Sequence, residues 1–537
     1  MVGKVGKARR VYKVCFFLIR HCVPNFLWVS WATAYADLND FLQCLPKFSE
    51  SSYPIIETIY TQKNTSFQYV LNAYIQNRRY STPTIPKPMA IIAAMHESHV
   101  QATVVCAKEH ALHIRIRSGG HDYEGLSYVS SVPFIILDMF NLRSIEINVT
   151  DESAWVQAGA TAGELYYKIA EKSKVHGFPA GVCPTVATGG LISGGGYGPT
   201  MRKFGLSADN IEDATLVNVN GTILDKNSMG EDLFWAIRGG GGASFGVILS
   251  WKIKLVRVPA KVTVFNVTRS IEQGALDVLY RWQYVAPKLP KNTYIRATSQ
   301  VSNGEGKKKA VEVSFSGHFL GQIDELLRLI NESFPELGLQ RKDCFEMSWV
   351  ESTVFWAGYP IGTPINVLLN RTNIPTFFFK SKSDYVKEPI PKEGIESIWQ
   401  MVQKIEKVYV QWNPYGGRMD EIAASATPFP HRAGNLFKIQ YYMSWTEEGI
   451  ETTNNYLSFS RKLYEEMTPF VSKNPREAFL NYRDIDIGAN LHNQTEFGIA
   501  RVYGSKFFKD NFDRLVRVKT VVDPQNFFRN EQSIPPL

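Results

Sequence analysis

Arg117-Ser118-Gly119-Gly120-His121-Asp122-Tyr123 and, further on, Gly181-Val182-Cys183-Pro184-Thr185 are the two stretches that decide how this chain reads. In each, one nucleophilic side chain, His121 or Cys183, stands in a bend that the backbone takes only with glycine nearby. Two such side chains suit a cofactor bonded to the protein twice. They also suit half of a zinc site, although neither a Cys-x-x-Cys nor a His-x-x-x-His partner lies beside either, so the reading here is no metal. Glycine runs follow: Gly189-Gly190, Gly194-Gly195-Gly196 with Gly198, and Gly239 to Gly242. They belong in loops where backbone passes close to a ligand, and successive N–H groups in such loops form nests for a pyrophosphate. No Gly-x-Gly-x-x-Gly lies between a strand and a helix, which disfavours a Rossmann dinucleotide fold.

Outward from these loops, short apolar runs alternate with helical patterns. Ala90–Ala94, Ile114–Arg117, Phe134–Leu137, Ile145–Val149 and Trp155–Gly159 read as strands, and Gly163–Lys172 as a helix. Val247–Val258 reads as one long strand, with Trp251, Ile253 and Leu255 buried and Lys252 and Lys254 facing out. Residues 37–259 are therefore expected to form an α+β cofactor domain. From 260 to 475 the strands lengthen (Val311–Phe319, Leu436–Trp445) and amphipathic helices such as Ile323–Phe334 appear, which predicts a second domain: an antiparallel sheet backed by helices, with ligand between the two. Residues 476–537 return to short motifs ending Asp523-Pro524-Gln525-Asn526-Phe527-Phe528.

With 537 residues, 44% of them hydrophobic, the chain can bury large cores. Its charge of +8 (59 Lys and Arg against 51 acidic residues) is dispersed, and no basic block interleaves with aromatics, so nucleic acid is not an expected partner. Lys4, Lys7, Arg9, Arg10 and Lys13 precede apolar stretches and then Ala34-Tyr35-Ala36, the order of a secretory signal cleaved after residue 36. No other run could span a membrane. Asn-x-Ser/Thr sequons at Asn64, Asn148, Asn220, Asn266, Asn331, Asn370 and Asn493 agree with export to the cell wall or vacuole. Of six cysteines, Cys15 and Cys22 leave with the signal; Cys44, Cys106, Cys183 and Cys344 remain. One pair could bridge in an oxidising compartment.

The motifs Arg-Ser-Gly-Gly-His-Asp at 117–122, Cys-Pro-Thr-Val at 183–186, Ser-Gly-Gly-Gly-Tyr-Gly at 193–198, Asn-Tyr-Arg-Asp at 481–484 and the Asp-Pro-Gln-Asn-Phe-Phe tail resemble the plant berberine bridge enzyme-like family, FAD-linked oxidoreductases of the vanillyl-alcohol oxidase type. The resemblance implies a two-lobed FAD-binding domain of that type plus the substrate domain. It implies FAD bonded through the 8α-methyl carbon to His121 and through C6 to Cys183, and a Cys44–Cys106 disulfide. Matching positions imply cofactor contacts from Arg117, Ser118, Gly119, Gly120, Asp122, Gly189, Gly190, Ser193, Gly194, Tyr197, Gly198, Val247, Tyr482 and Asn526. Tyr123, Leu191 and Tyr415 fall at positions that line the substrate side.

Family members typically move a hydride to flavin N5 and return it to O2 as H2O2, and Val186, three after Cys183, is the residue type usual in oxidases. Tyr482 matches the family's base, accompanied by Lys438 and Gln440, which share one face of a strand. A phenol of pKa about 10 must fall by roughly three units, or about 4 kcal/mol, to ionise near neutrality, and nearby cations would supply that. The chain departs from many relatives at Ala187, Leu191 and Pro199. The expected function is a monomeric secreted oxidase of a small alcohol, phenol, prenylated phenol or sugar. The alternatives are a Diels-Alder cyclase of prenylated phenols, as in the mulberry branch that 137–142 and 176–181 resemble, and a glycoprotein without turnover.

Overall fold

The long Ile, Val and Leu runs of the first half are buried on both faces, as strands of a largely parallel sheet must be. In the computed structural model, which describes residues 38–303, 309–371, 376–490 and 496–537, Ile59–Thr61, Ala90–Ala93, Phe134–Asp138 and His113–Arg117 form a four-stranded sheet in that order. Its last three strands run parallel. The expected signal over 1–36 and the sequon at Asn493 lie outside the described residues. Helix Glu97–Glu109 packs on helix Leu38–Phe48, and Cys106 of the first bonds Cys44 of the second, the pairing the resemblance implied.

A second, antiparallel sheet orders Ile145–Asn148, Ser153–Gln157, Val247–Lys254, Ile211–Val217 and Ile223–Leu224. Trp251, Ile253 and Leu255 are buried, as their alternation predicted. The single strand expected over Val247–Val258 instead breaks at Leu255, whose N–H donates to Glu152 O (2.7 Å). Val256–Arg257 then pairs with His176–Gly177 in a separate two-stranded sheet. The period-two pattern persists across a change of partner, so the break does not show in it.

The third sheet has seven antiparallel strands: Cys344–Met347, Val262–Ser270, Lys309–Phe319, Thr293–Asn303, Val408–Pro414, Phe437–Trp445 and Phe378–Val386. One face carries Ile295, Ala297, Val410, Ile439 and Met443 into a core completed by Trp282, Ile398, Trp399 and Leu463 from helices Ala275–Val285, Lys392–Ile405 and Ile450–Glu466. Alternation therefore turns Arg296, Tyr409, Gln411, Lys438 and Gln440 to the opposite face. Helix Ile323–Ser333 stops one residue short of expectation because Phe334 leaves helical geometry at φ −147°, ψ 54°.

Phe378–Val386 is the edge strand, and its open side is covered by the chain at 472–486. Ser472 N donates to Tyr385 O (2.8 Å), Phe479 N to Ser383 Oγ (3.0 Å), and Lys380 and Lys382 hold Asp484. That wrap fixes the short turn on which Tyr482 stands. Residues 37–537 form one compact unit, and no helix among the described residues is long and apolar enough to cross a membrane.

Candidate active site

The loop that bears His121 leaves the end of strand His113–Arg117 and is pinned by its first residue. Arg117 is buried and turned away from the loop: it pairs with Asp138 (2.6 Å) and donates to Leu71 O (2.7 Å) and Val70 O (2.9 Å). A guanidinium removed from water needs its donors satisfied, and here the main chain and Asp138 satisfy them. Arg117, expected at the cofactor, is thus a strut beneath the loop. Gly120 holds φ +67°, and a Cβ there would strike Tyr74 O. Asp122 closes the turn by accepting from Glu124 N (2.9 Å) and Leu126 N (3.1 Å).

The Cys183 loop is stitched to helix Ala162–Lys172 by Gly163 N to Pro184 O (2.8 Å), Ala162 N to Val186 O (2.9 Å) and Tyr166 OH to Gly181 O (2.7 Å). His121 Nε2 lies 3.0 Å from Thr185 Oγ1, so the two loops meet. Burial lowers the His121 pKa to about 4 and leaves the ring neutral with a lone pair to offer. Cys183 opens onto the same cleft. Surrounding protein raises its thiol pKa, and the nearby Arg296 guanidinium pulls the other way.

Ser118 to Asp122, Cys183, Gly189, Gly190, Ser193, Gly194, Tyr197 and Tyr482 all line this cleft, as do Tyr123, Leu191 and Gln440. Besides Arg117, four expected contacts do not. Gly198 is pressed against Ala180 O instead. Val247 is paired with Val217 in its sheet, and its neighbours Gly246 and Ile248 reach the cleft. Asn526, at φ +52°, makes a turn by donating its N–H to Asp523 O, and Phe528, Arg529, Asn530 and Gln532 beyond it line the cleft. Tyr415, expected on the substrate side, is buried among Tyr385, Tyr294 and Phe429, with its hydroxyl on Tyr385 (3.4 Å).

Around Tyr482 the side chains form an aromatic cage. Its ring stacks on Tyr123 (5.6 Å between centroids, 7° between planes), and its hydroxyl meets that of Tyr197 in a hydrogen bond. Lys438 does not line the cleft. Its Nζ sits under the rings of Tyr197, Phe479 and Tyr482, 3.2, 3.7 and 4.6 Å from their centroids. Gln440 donates to Ser381 Oγ (3.0 Å) and Tyr123 OH (3.3 Å), which leaves its carbonyl oxygen for the cleft.

Arg296, 7% exposed, also lines the cleft; it donates to Asn413 Oδ1 (2.8 Å) and lies over the Trp356 ring (5.1 Å). In sequence it alternates with Ile295 and Ala297 and reads as a solvent-facing charge; only the second wall of the cleft buries it. Among the described residues, neither Lys438 nor Arg296 belongs to an ion pair with a carboxylate. The expectation that cations depress the Tyr482 phenol is not met in the protein alone: burial dominates and raises it well above 10, with Tyr197 and Tyr123 adding and Arg296 opposing. Burial likewise drives the Lys438 amine well below its usual value, and Arg296 adds to that.

The cleft fits a flavin dinucleotide. Gly119, Gly189 and Gly242 leave no room for a Cβ, which would come within 2.7 Å of Ala187 N, Ser118 Oγ and Ser193 Oγ, so the cradle is made of backbone. Buried polar atoms of cleft residues stand without protein partners: Nε and Nη1 of Arg115, Nη1 of Arg483 and Oε1 of Gln532. Such atoms await a polar ligand.

Comparison with known proteins agrees. A family model described as FAD binding domain matches residues 88–227, and one described as berberine and berberine like matches 478–535. Berberine bridge enzyme-like 7 of Arabidopsis thaliana is 57% identical over 501 residues, 93% of this chain and 94% of that protein. The structure of BBE-like 28 from Arabidopsis thaliana superposes with a TM-score of 0.88 at 47% identity, covering 93% of this chain and all of the other. Wild-type Phl p 4.0202, a glucose dehydrogenase, superposes with 0.88 at 43% identity, covering 93% and 99%; an isoleucine-to-valine variant of Phl p 4 is a glucose oxidase. With a cleft made for FAD and relatives that match 93% of its length, this chain belongs to the berberine bridge enzyme-like family of FAD-dependent oxidoreductases.

Proposed function

We propose that the protein is a secreted, monomeric FAD-dependent oxidase that takes a hydride and a proton from a small plant metabolite, an alcohol, phenol, prenylated phenol or sugar, with O2 as acceptor and H2O2 as product. The observation that carries this reading is the opening of His121, Cys183 and Tyr482 onto one cleft. Residues 37–259 and 476–537 hold the cofactor and 260–475 present the substrate. His121 Nε2 faces Thr185 Oγ1, which leaves Nδ1 as the nitrogen that would hold the flavin through its 8α-methyl carbon, and Cys183 Sγ would hold it through C6. When bound, FAD supplies a two-electron acceptor that O2 reoxidises.

The chain's own residues handle the proton. Tyr482 Oη takes it from the substrate hydroxyl as hydride leaves the adjacent carbon, so two electrons and two hydrogens depart together. Lys438 and Arg296 stabilise the phenolate form of the hydrogen-bonded Tyr482–Tyr197 pair, and the Gln440 carbonyl accepts from a substrate hydroxyl. Val186 lines the cleft, and as the residue type usual at this place in oxidases of the family it supports O2 as acceptor.

The test is to denature the purified protein and follow the flavin. It stays with the wild-type chain and with either single variant, His121→Ala or Cys183→Ala, and leaves the double variant; release from the wild type overturns the double linkage. A panel of monolignols, oligosaccharides and prenylated phenols read by O2 consumption then tests the oxidase. Product formed with no O2 consumed and no net oxidation would move the assignment to a cyclase.

A further inference from the structure

The turns that carry Tyr123 and Tyr482, whose rings stack, are tied together by two links. Asp122 and Glu124 flank Tyr123, and Arg483 and Asp484 follow directly on Tyr482; all four bind the other turn, directly or through a lysine. In one link Arg483 Nε meets Asp122 Oδ2 directly (3.1 Å). In the other, Lys380 Nζ from the edge strand bridges Glu124 Oε1 and Asp484 Oδ1, the latter at 2.6 Å. The same two turns carry the Tyr123–Tyr482 stack.

The bridge is fully engaged. Glu124 Oε2 accepts from Tyr80 OH (2.5 Å) and faces Arg79 (3.5 Å). Lys382 takes the second oxygen of Asp484 (2.8 Å) and Asp486 Oδ2 (2.7 Å), and Arg461 takes the other oxygen of Asp486 (2.9 Å). The side chains of Lys380, Lys382, Glu124 and Asp484 are 1–3% exposed. Burying such charges carries a desolvation cost that apolar side chains of similar volume avoid, so the network does not explain itself as a source of stability. What it supplies is fixed geometry at the turn bearing His121 and the turn bearing Tyr482.

We propose that Lys380 is a positioning residue for the oxidation: by bridging Glu124 and Asp484 it holds the Tyr482 ring against Tyr123 and over Lys438. This rests on the assignment of Tyr482 as the base. Lys380 itself touches neither the cleft nor the Tyr482 ring and acts through the two turns.

The experiment compares flavin-loaded wild type, Lys380→Met and Lys380→Arg without any substrate. Amide hydrogen exchange in peptides covering 121–124 and 479–486 is expected to quicken ten-fold or more in Lys380→Met, to stay unchanged elsewhere, and to return in Lys380→Arg. In a pH titration of flavin absorbance, the component that Tyr482→Phe abolishes is expected to move up by one pH unit or more in Lys380→Met and to be restored in Lys380→Arg. Unchanged exchange in the two segments overturns the proposal, as does a loosening spread over the whole chain. If Lys380→Met does not fold, Glu124→Gln, which breaks the bridge from one side, must quicken the same two segments or the proposal fails. A titration that Tyr482→Phe leaves unaltered defeats the base assignment, and the exchange data still decide the bridge.

Discussion

Replacing Lys438 by methionine keeps the volume beneath the tyrosine rings and removes one amine. In the folded protein burial opposes both the charged amine and the charged phenol, so neither ionises readily alone. Ionised together, they place opposite charges about 4.6 Å apart, taking the Tyr482 ring centre as the site of a delocalised negative charge. At an effective dielectric of about 20 that attraction is about 3.6 kcal/mol, or about 2.6 pKa units. The two groups therefore titrate as a pair, and the apparent base belongs to both. The base works deprotonated, so flavin reduction rises with pH through its apparent pKa. Lys438→Met is expected to shift that midpoint upward by two to three units, so that reduction slows by a factor of about 100 or more well below the shifted midpoint. The assay is anaerobic rapid mixing with the fastest substrate of the panel, following loss of flavin colour from pH 5 to 10. A midpoint within half a unit of wild type in a folded, flavin-loaded Lys438→Met would refute the coupling and leave Arg296 as the cation that matters.

Four further outcomes are expected. Arg117→Met strands the Asp138 carboxylate in the interior and should lower unfolding free energy by about 3–5 kcal/mol, read by denaturant titration; a loss below about 1 kcal/mol would contradict the strut. Gly120→Ala forces a side chain into a left-handed turn and against Tyr74 O, so the covalent flavin yield should collapse; normal yield would show that the turn relaxes. Tyr415→Phe should leave KM and kcat within two-fold of wild type while Tyr123→Phe changes KM, because only Tyr123 lines the cleft; the reverse result would restore Tyr415 as a substrate contact. Burial depresses His318 to a pKa of about 4 and His113 to about 3, while the unfolded chain titrates near 6.5. The unfolded chain thus binds more protons between those values, and the stabilisation, fully present above pH 6.5 and up to about 3 kcal/mol from His318 and about 5 kcal/mol from His113, is lost as pH falls toward 4 and 3 respectively. Melting temperature should drop across that window and drop less in His318→Phe; an equal slope in the variant would exclude His318.

Much of this was legible without coordinates because loops at a cofactor obey local rules. Glycine where backbone must bend or approach, a nucleophile beside it, and apolar runs of strand length all appear in neighbouring residues, so His121, Cys183 and the strands from Ala90 to Gln157 could be named from the chain. The tail was legible as a motif and misread by position: the turn at Asn526 serves to present Arg529, Asn530 and Gln532. Periodicity also gave the correct face for Lys438 and Gln440, since two residues apart on a strand point the same way.

What no window of sequence contains is the identity of the opposite wall. Arg117 and Arg296 are both arginines on alternating strands; one meets Asp138 and becomes a strut, the other meets tyrosines and faces the cleft. Tyr415 and Tyr123 are equally aromatic, and only the packing of the seven-stranded sheet buries the first and exposes the second to ligand. The direction of the Tyr482 shift was likewise settled by packing, because the desolvation of a phenol is set by every atom around it and not by its neighbours in the chain. The sequence by itself determined that His121 and Cys183 stand in glycine-bearing bends; the tertiary structure decided that both bends open onto one cleft and which charges face it, because charge acts through space and burial is a property of the whole fold.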